Sequence, residues 1–239
     1  MSVPDYDVDV LIVGSGFAGS LTALLCRQIG LRPLLVDARS HPRFAIGESS
    51  TPLANLVLES LGERYGLDWL KPFANYTSWK QAYPTLGVGL KRGFSYFHHT
   101  HGEVFIPRAD HGNELLVAAS HGPDDADTHW VRADFDHFLV QQVQAAGIPY
   151  FEQTRLGPLQ AAGQGWRTSG FIATTAGDSS PRWDCAARFL IDATGDGGYL
   201  TRELSIRNAV DSLKTWSRAV FGHFRNVTPW EVLYRTAGG

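Results

Sequence analysis

The sequence predicts an α/β fold: a mostly parallel sheet with antiparallel β segments inserted into it. Three observations predict it. An apolar run at 8–13 leads through a glycine turn and a stretch of helical spacing into a second apolar run at 33–36. A helical stretch at 132–146 is followed by apolar runs at 148–151 and 187–193. Short β-patterned pieces broken by glycine or proline occupy 86–106 and 156–185. Strands that alternate with helices favour a parallel sheet, whereas short strands in succession favour hairpins.

The first unit carries the most chemistry. Its turn reads Gly14-Ser15-Gly16-Phe17-Ala18-Gly19. In such a turn Gly14 makes the bend, Gly16 lets backbone approach a pyrophosphate, and Gly19 allows close helix–strand packing. The helix start offers unpaired N–H groups and partial positive charge to phosphate. Ala18, Leu21, Leu24, Leu25 and Ile29 recur at helical spacing, and Gly30 stops the helix. Asp37 follows about 20 residues on, where an acid can bind a ribose 2′-OH, with Ala38 and Arg39 beside it. The pattern is that of a Rossmann-like unit for a ligand containing adenosine diphosphate.

Residues 40–52 are loop chemistry, ending with Thr51 as helix N-cap and Pro52 in the first turn. Leu53, Leu56, Val57, Leu61 and Tyr65 supply that helix with an apolar face. Strands are expected at 86–90, 93–97 and 104–106, with a polar loop around His98-His99-Thr100-His101. The Gly-, His- and Asp-rich stretch 110–127 reads as an exposed loop. Asp134 and Asp136 read as first-turn acids of the next helix. A β meander at 156–185 turns at 163–165 and 177–180. The last apolar strand runs into Thr194-Gly195-Asp196-Gly197-Gly198.

Composition narrows the class. The 239 residues are 44% hydrophobic and 19% charged with net charge −3, so no basic surface calls for nucleic acid or an anionic membrane. The first apolar run is too short to span a bilayer and lacks a basic leader, so a cytoplasmic protein is expected. Cys26 and Cys185 read as buried free thiols. The three histidines of the 98–101 loop lack a carboxylate or cysteine at metal-ligand spacing, so no metal is expected. The chain has 7 Trp, 8 Tyr and 13 Phe, enough to fill a core or to wall a flat ring system.

NAD, NADP and FAD all fit the opening motif. Arg132 heads Arg-Ala-Asp-Phe-Asp, and a strand closes on Asp192-Ala193-Thr194-Gly195-Asp196-Gly197. With Asp37, these features resemble the FAD-binding fold of the para-hydroxybenzoate hydroxylase type. The loop His41-Pro42-Arg43-Phe44-Ala45-Ile46-Gly47-Glu48-Ser49-Ser50-Thr51-Pro52 and the run Gly89-Leu90-Lys91-Arg92-Gly93-Phe94-Ser95-Tyr96 narrow the resemblance to flavin-dependent halogenases, on the pyrrole and phenol branch. It covers essentially the whole chain but only the N-terminal part of such an enzyme.

The resemblance implies a mechanism. Reduced FAD, supplied by a separate reductase, and dioxygen give a flavin hydroperoxide that oxidises halide to hypohalous acid. An active-site lysine then directs electrophilic halogenation of an aromatic small molecule, free or carrier-bound. Gly47, Glu48 and Ser49 would run beside the flavin, with Arg132, Asp192 and Gly195 completing its site. Lys91 matches the family's lysine region, and Lys80 is the other candidate. Burial would lower the lysine's pKa and suit it to hydrogen-bond the hypohalous oxygen or to be N-halogenated. A flavin monooxygenase, a geranylgeranyl-reductase-like enzyme and an inactive flavin-binding fragment are the alternatives.

The family's Trp-x-Trp-x-Ile-Pro motif is absent, and Pro229-Trp230 is not a version of it. Residues 1–200 are therefore expected to form the FAD-binding domain, with a β excursion near 80–130. Residues 201–239 are expected to be the start of a truncated substrate-side domain, with a sheet beginning within 216–230.

Overall fold

The computed structural model describes residues 3–118, 120–172, 182–207, 209–215, 217 and 219–236. The chain divides into two compact units, 1–205 and 206–239. In the first, β1 (Tyr6–Val13), α1 (Phe17–Gln28) and β2 (Pro33–Val36) form the expected βαβ unit. The side chains of β1 are shared between two cores, alternating from Val10 to Val13. Val8, Leu11 and Val13 join Leu34, Val36, Trp183 and Tyr199, while Val10 and Ile12 join Ala23, Leu24, Leu35 and Val143. Both faces of the strand are covered, which is why it reads as an unbroken apolar run. In α1 the buried positions include Gly19, Ser20, Leu21, Ala23 and Leu24, whereas Ala18 and Ile29 of the expected stripe are exposed. Small residues set that face because the helix lies close on the sheet.

Helix α2 (Pro52–Tyr65) starts where the sequence places it: the Thr51 hydroxyl accepts from the Ala54 amide at 3.3 Å. Its buried face is different. Asn55, Leu58 and Gly62 point inward, and Leu53, Leu56 and Val57 are exposed. The α2 face is chosen by Leu67, Leu70 and the aromatic core beneath it, not by the count of leucines. A 3₁₀ segment (Asp68–Ala74) and α3 (Tyr76–Ala82) bring Phe73 and Trp79 into that core, against Trp130 and Phe135. These aromatics fill the interior.

The β excursion is β3 (Val88–Lys91), β4 (Gly93–Phe97), β5 (Glu114–Ala118) and β6 (Asp127–Trp130). β3 pairs with β6 and β4 with β5, both antiparallel. Two expectations are corrected here. Residues 104–106 form no strand, and the stretch 110–127, expected as loop, supplies the partner of β4. Pairing decides this: Glu114–Ala118 lies in register with Gly93–Phe97, and residues 104–106 have no ladder.

α4 (Arg132–Ala145), β7 (Tyr150–Phe151), β8 (Thr154–Leu156), β9 (Gln160–Ala162), β10 (Gly165–Ile172) and β11 (Trp183–Asp192) complete the main sheet. Its order is β7-β2-β1-β11-β10-β8, with β9 also on β10. The four strands β7, β2, β1 and β11 run parallel, and β10 turns antiparallel to β11. The expected turn at 177–180 lies outside the described residues. After β11 comes α5 (Tyr199–Glu203). The second unit contains a short turn (Val210–Ser212) and α6 (Trp230–Thr236). No strand occurs among its described residues, which corrects the sheet expected within 216–230. Backbone without a pairing partner is not a strand, whatever its side chains.

Candidate functional site

Parallel register builds the site. Val13 pairs with Val36 on one side and with Asp192 on the other. Three strands therefore end together, and the residues leaving them (Gly14, Asp37 and Ala193) lie along one edge. Ligands of open α/β sheets bind at this carboxyl edge.

The glycines there have separate causes. Gly14 has φ +104° and donates its N–H to the Val36 carbonyl at 2.7 Å. A Cβ on Gly19 would collide with the Gly14 carbonyl. Gly16 has φ −69°, and a Cβ there would come no closer than 3.7 Å to any neighbour, the Asp136 carboxylate. Nothing inside the protein requires glycine at 16, so its lack of a side chain suits a phosphate resting on the backbone. α1 has neither a side-chain cap nor an acid in its first turn, which leaves the N-terminal amides of Phe17, Ala18 and Gly19 for an anion. The cradle fits a dinucleotide.

Asp37 anchors this turn. Its carboxylate accepts the Ser15 N–H at 2.7 Å, the Ser15 hydroxyl at 2.9 Å, the Arg39 N–H at 2.8 Å and the Arg43 guanidinium at 2.7 Å. Burial pushes its pKa upward, but the Ser15 and Arg39 amides and the Arg43 charge outweigh this and hold it below the usual carboxylate value. The Ser15 hydroxyl also lies 2.9 Å from His41 Nε2 and 3.4 Å from the Tyr150 hydroxyl. Burial lowers the His41 pKa and pushes Tyr150 up to about 12, so both are neutral at pH 7. Ala38 and Arg39 sit exposed at the rim.

A second wall comes from the loop before α2, which lies on β6 like an extra strand. Trp130 N–H donates to the Glu48 carbonyl at 2.7 Å, Ser49 bridges His129, and Ser50 N–H donates to the Thr128 carbonyl at 2.9 Å. Arg132 ties this loop to α4. It makes a two-pronged pair with Asp136 at 2.8 Å in each prong and donates to the Ile46 carbonyl at 2.9 Å. Asp136 is thus no first-turn acid; it is buried one turn further in as the partner of Arg132. Asp134 does lie in the first turn, and it accepts the Gly87 amide. Gly47 has φ +96° and faces the Arg132 guanidinium. Asp192 holds its own turn, accepting from Thr194 N–H, Thr194 hydroxyl and Leu200 N–H at 3.0, 2.6 and 2.8 Å. Gly195 follows in that turn with φ +64°.

Lys91 is the one residue of β3 that is fully buried, at 3% exposure. Its ammonium donates to the Ser50 carbonyl, on the underside of the loop, and lies 4.1 Å above the Phe94 ring centre. Across the ladder Asp127 is 4.0 Å away. Burial lowers the lysine's pKa and the Asp127 charge opposes the drop; burial raises Asp127, and Lys91 opposes that. Lys80 is exposed on α3. Thus Gly47, Glu48 and Ser49 lie between Arg132 and the strand partner of Lys91. His98, His99 and His101 are exposed, and no group of metal-ligating side chains gathers among the described residues.

Sequence reasoning missed Arg43, His41 and Tyr150 around Asp37, and Asn55 and Asp127 around Lys91. The Arg132–Asp136 spacing of four on one helix was a usable signal. The others meet only through the sheet.

The comparisons with known proteins agree with this fold. A family profile described as an NAD(P)-binding Rossmann-like domain matches residues 12–86. The 1H-pyrrole-2-carbonyl-[peptidyl-carrier protein] brominase of Pseudoalteromonas luteoviolacea (strain 2ta16) is 48% identical over 222 residues, covering 92% of this chain and 45% of that protein. The monodechloroaminopyrrolnitrin halogenase PrnC of Pseudomonas fluorescens is 28% identical over 230 residues, covering 96% and 38%. The crystal structure of halogenase PltM with phloroglucinol and FAD superimposes with a TM-score of 0.67 at 27% identity, covering 83% of this chain and 36% of that one. The chain spans less than half the length of these relatives.

Proposed function

We propose that this chain, a homologue of the flavin-dependent halogenases, is the FAD-holding part of an enzyme that halogenates an electron-rich aromatic ring. The observation that carries the reading is Lys91, an ammonium buried at 3% exposure and bonded to the loop that Arg132 holds through the Ile46 carbonyl. A lysine is almost never fully buried unless it is paired, and the partners of this one include the Ser50 carbonyl of that loop.

Bound reduced FAD, with dioxygen, would supply the oxidising power that converts halide to hypohalous acid. The protein's own residues do the rest. In the turn Gly14, Ser15, Gly16, Phe17, Ala18 and Gly19, the free amides of Phe17, Ala18 and Gly19 receive the diphosphate, Gly16 leaves room for it, and Gly14 and Ser15 hold the bend through Val36 and Asp37. Asp37, with Ala38 and Arg39 beside it, holds Ser15 and offers the adenosine ribose a carboxylate. Gly47, Glu48, Ser49 and Arg132 form the wall beside the ring system, and Asp192 with Gly195 shapes the turn opposite. Lys91 presents its amine under that wall, where it would hydrogen-bond the hypohalous oxygen and aim the halogen. Residues 1–200 serve the flavin, and 201–239 begin the substrate side.

The relative at 48% identity is, by its name, a brominase of a pyrrole bound to a peptidyl carrier protein, so a carrier-bound pyrrole and bromide are the first substrates to try. A separate flavin reductase completes the proposal. The test uses the protein that carries this chain, with FAD, a reductase, oxygen, bromide and a panel of carrier-bound pyrrole and free phenols. Brominated product from wild type and none from Lys91→Ala, with FAD retained in both, is expected. Equal product from Lys91→Ala would overturn the role of Lys91. Hydroxylated product free of halogen would make the enzyme a monooxygenase.

A further inference from the structure

We propose that Asp127, aligned by Asn55, is the positioning residue of Lys91, anchoring its ammonium from across the β3–β6 ladder while the Ser50 carbonyl aims it at the loop. Lys91 and Asp127 are direct cross-strand partners, with the carboxylate 4.0 Å from the ammonium. The other carboxylate oxygen accepts the Asn55 side-chain N–H at 2.9 Å. Lysine, aspartate and asparagine come from three elements, β3, β6 and α2, and all three are buried.

Stability alone does not account for such a group, since well-packed apolar residues serve a core as well as a buried ion pair. The Asn55 amide donates to Asp127 while its own carbonyl oxygen has no hydrogen-bond partner among the described residues. That arrangement aligns the carboxylate at the expense of the amide. Around the pair stand the other titratable groups, His129 on β6, whose pKa burial lowers, and Glu48 in the loop. Phe94 closes the ammonium off on its own side. Burial lowers the lysine's pKa and is the larger effect, and Asp127 limits the drop, so the carboxylate 4.0 Å away both holds the ammonium in place and keeps its proton on to higher pH than burial alone would. A fixed amine of set protonation is what delivery of a halogen from one atom requires.

The use of Lys91 in halogenation rests on the reading above; its anchoring by Asp127 does not. The experiment is competitive acetylation of chain 1–239 with isotopically labelled acetic anhydride across pH 6 to 11, read at Lys91 and at exposed Lys80 by peptide mass spectrometry. Asp127→Asn is expected to move the Lys91 midpoint down while Lys80 stays put, and Asp127→Glu to return it toward wild type. Asn55→Ala, which leaves the charge in place, is expected to give a smaller shift in the same direction. A merely structural Asp127 gives the opposite sign, because a loosened site hydrates Lys91 and its midpoint rises toward about 10.4. That rise, or an unmoved midpoint in both Asp127→Asn and Asn55→Ala, overturns the proposal. Bromination that survives Lys91→Ala while the midpoints shift as expected would remove the catalytic reading and leave the anchoring intact.

Discussion

A Cβ at Gly19 would run into the Gly14 carbonyl, while one at Gly16 would meet nothing nearer than 3.7 Å. The two glycines should therefore separate in experiment. Gly19→Ala is expected to lose about 1–3 kcal/mol by overpacking, measured by urea unfolding. Gly16→Ser, at an N-cap where serine is favoured, should change stability by no more than about 0.5 kcal/mol and yet weaken FAD retention at least about tenfold. Retention equal to wild type would show that no phosphate rests there. Asp37 makes a pH prediction. Its folded pKa lies below its unfolded one, so its stabilisation is present above about pH 4 and is lost as pH falls through the folded value. Asp37→Asn should accordingly be less stable at neutral pH and show a flatter acid limb, read from urea midpoints between pH 2 and 7. An acid limb as steep as wild type would mean that Asp37 is not the group responsible.

Helix α2 shows how far an element can be read from its own residues. Thr51 and Pro52 mark its start because capping is local, decided within one turn. Thr51→Ala is expected to cost about 1 kcal/mol. Its buried face is not local. Leu58→Ala should cost about 2–5 kcal/mol, whereas Leu53→Ser and Leu56→Ser should stay within about 0.5 kcal/mol, although all three are leucines of one helix. Equal losses at the three positions would contradict the observed face. The β excursion has the same moral. Gly93–Phe97 is legible as a strand, but its partner had to be chosen between 104–106 and Glu114–Ala118, and cross-strand register made the choice.

Across the first unit, many large apolar side chains stay in contact with water. Phe44 and Ile46 in the loop, Leu53 and Leu56 on α2, and Leu115 and Leu116 on β5 are each more than half exposed. Exposed large apolar side chains in this number offer sites for hydrophobic probes and for association. Chain 1–239 is expected to bind anilinonaphthalene sulfonate while keeping native circular dichroism, and to self-associate with concentration in sedimentation. Leu53→Glu with Leu56→Glu should reduce both. A monomer that ignores the dye would contradict the exposed surface.

What the sequence determined by itself was everything encoded in neighbours: the βαβ unit, the glycine turn, the acid after β2, the capped start of α2, and the resemblance carried by the 41–52 loop and Lys91. These depend on turn chemistry, capping and periodicity, which act over a few residues. Tertiary structure alone decided what surrounds them. Parallel register set Gly14, Asp37 and Ala193 on one edge, the loop after β2 and strand β7 closed His41, Arg43 and Tyr150 around Ser15 and Asp37, and the antiparallel β3–β6 ladder put Asp127 opposite Lys91 with Asn55 behind it. The reason is physical: a buried charge is tolerable only with partners, and partners separated by dozens of residues meet only when the sheet and its helices bring them together.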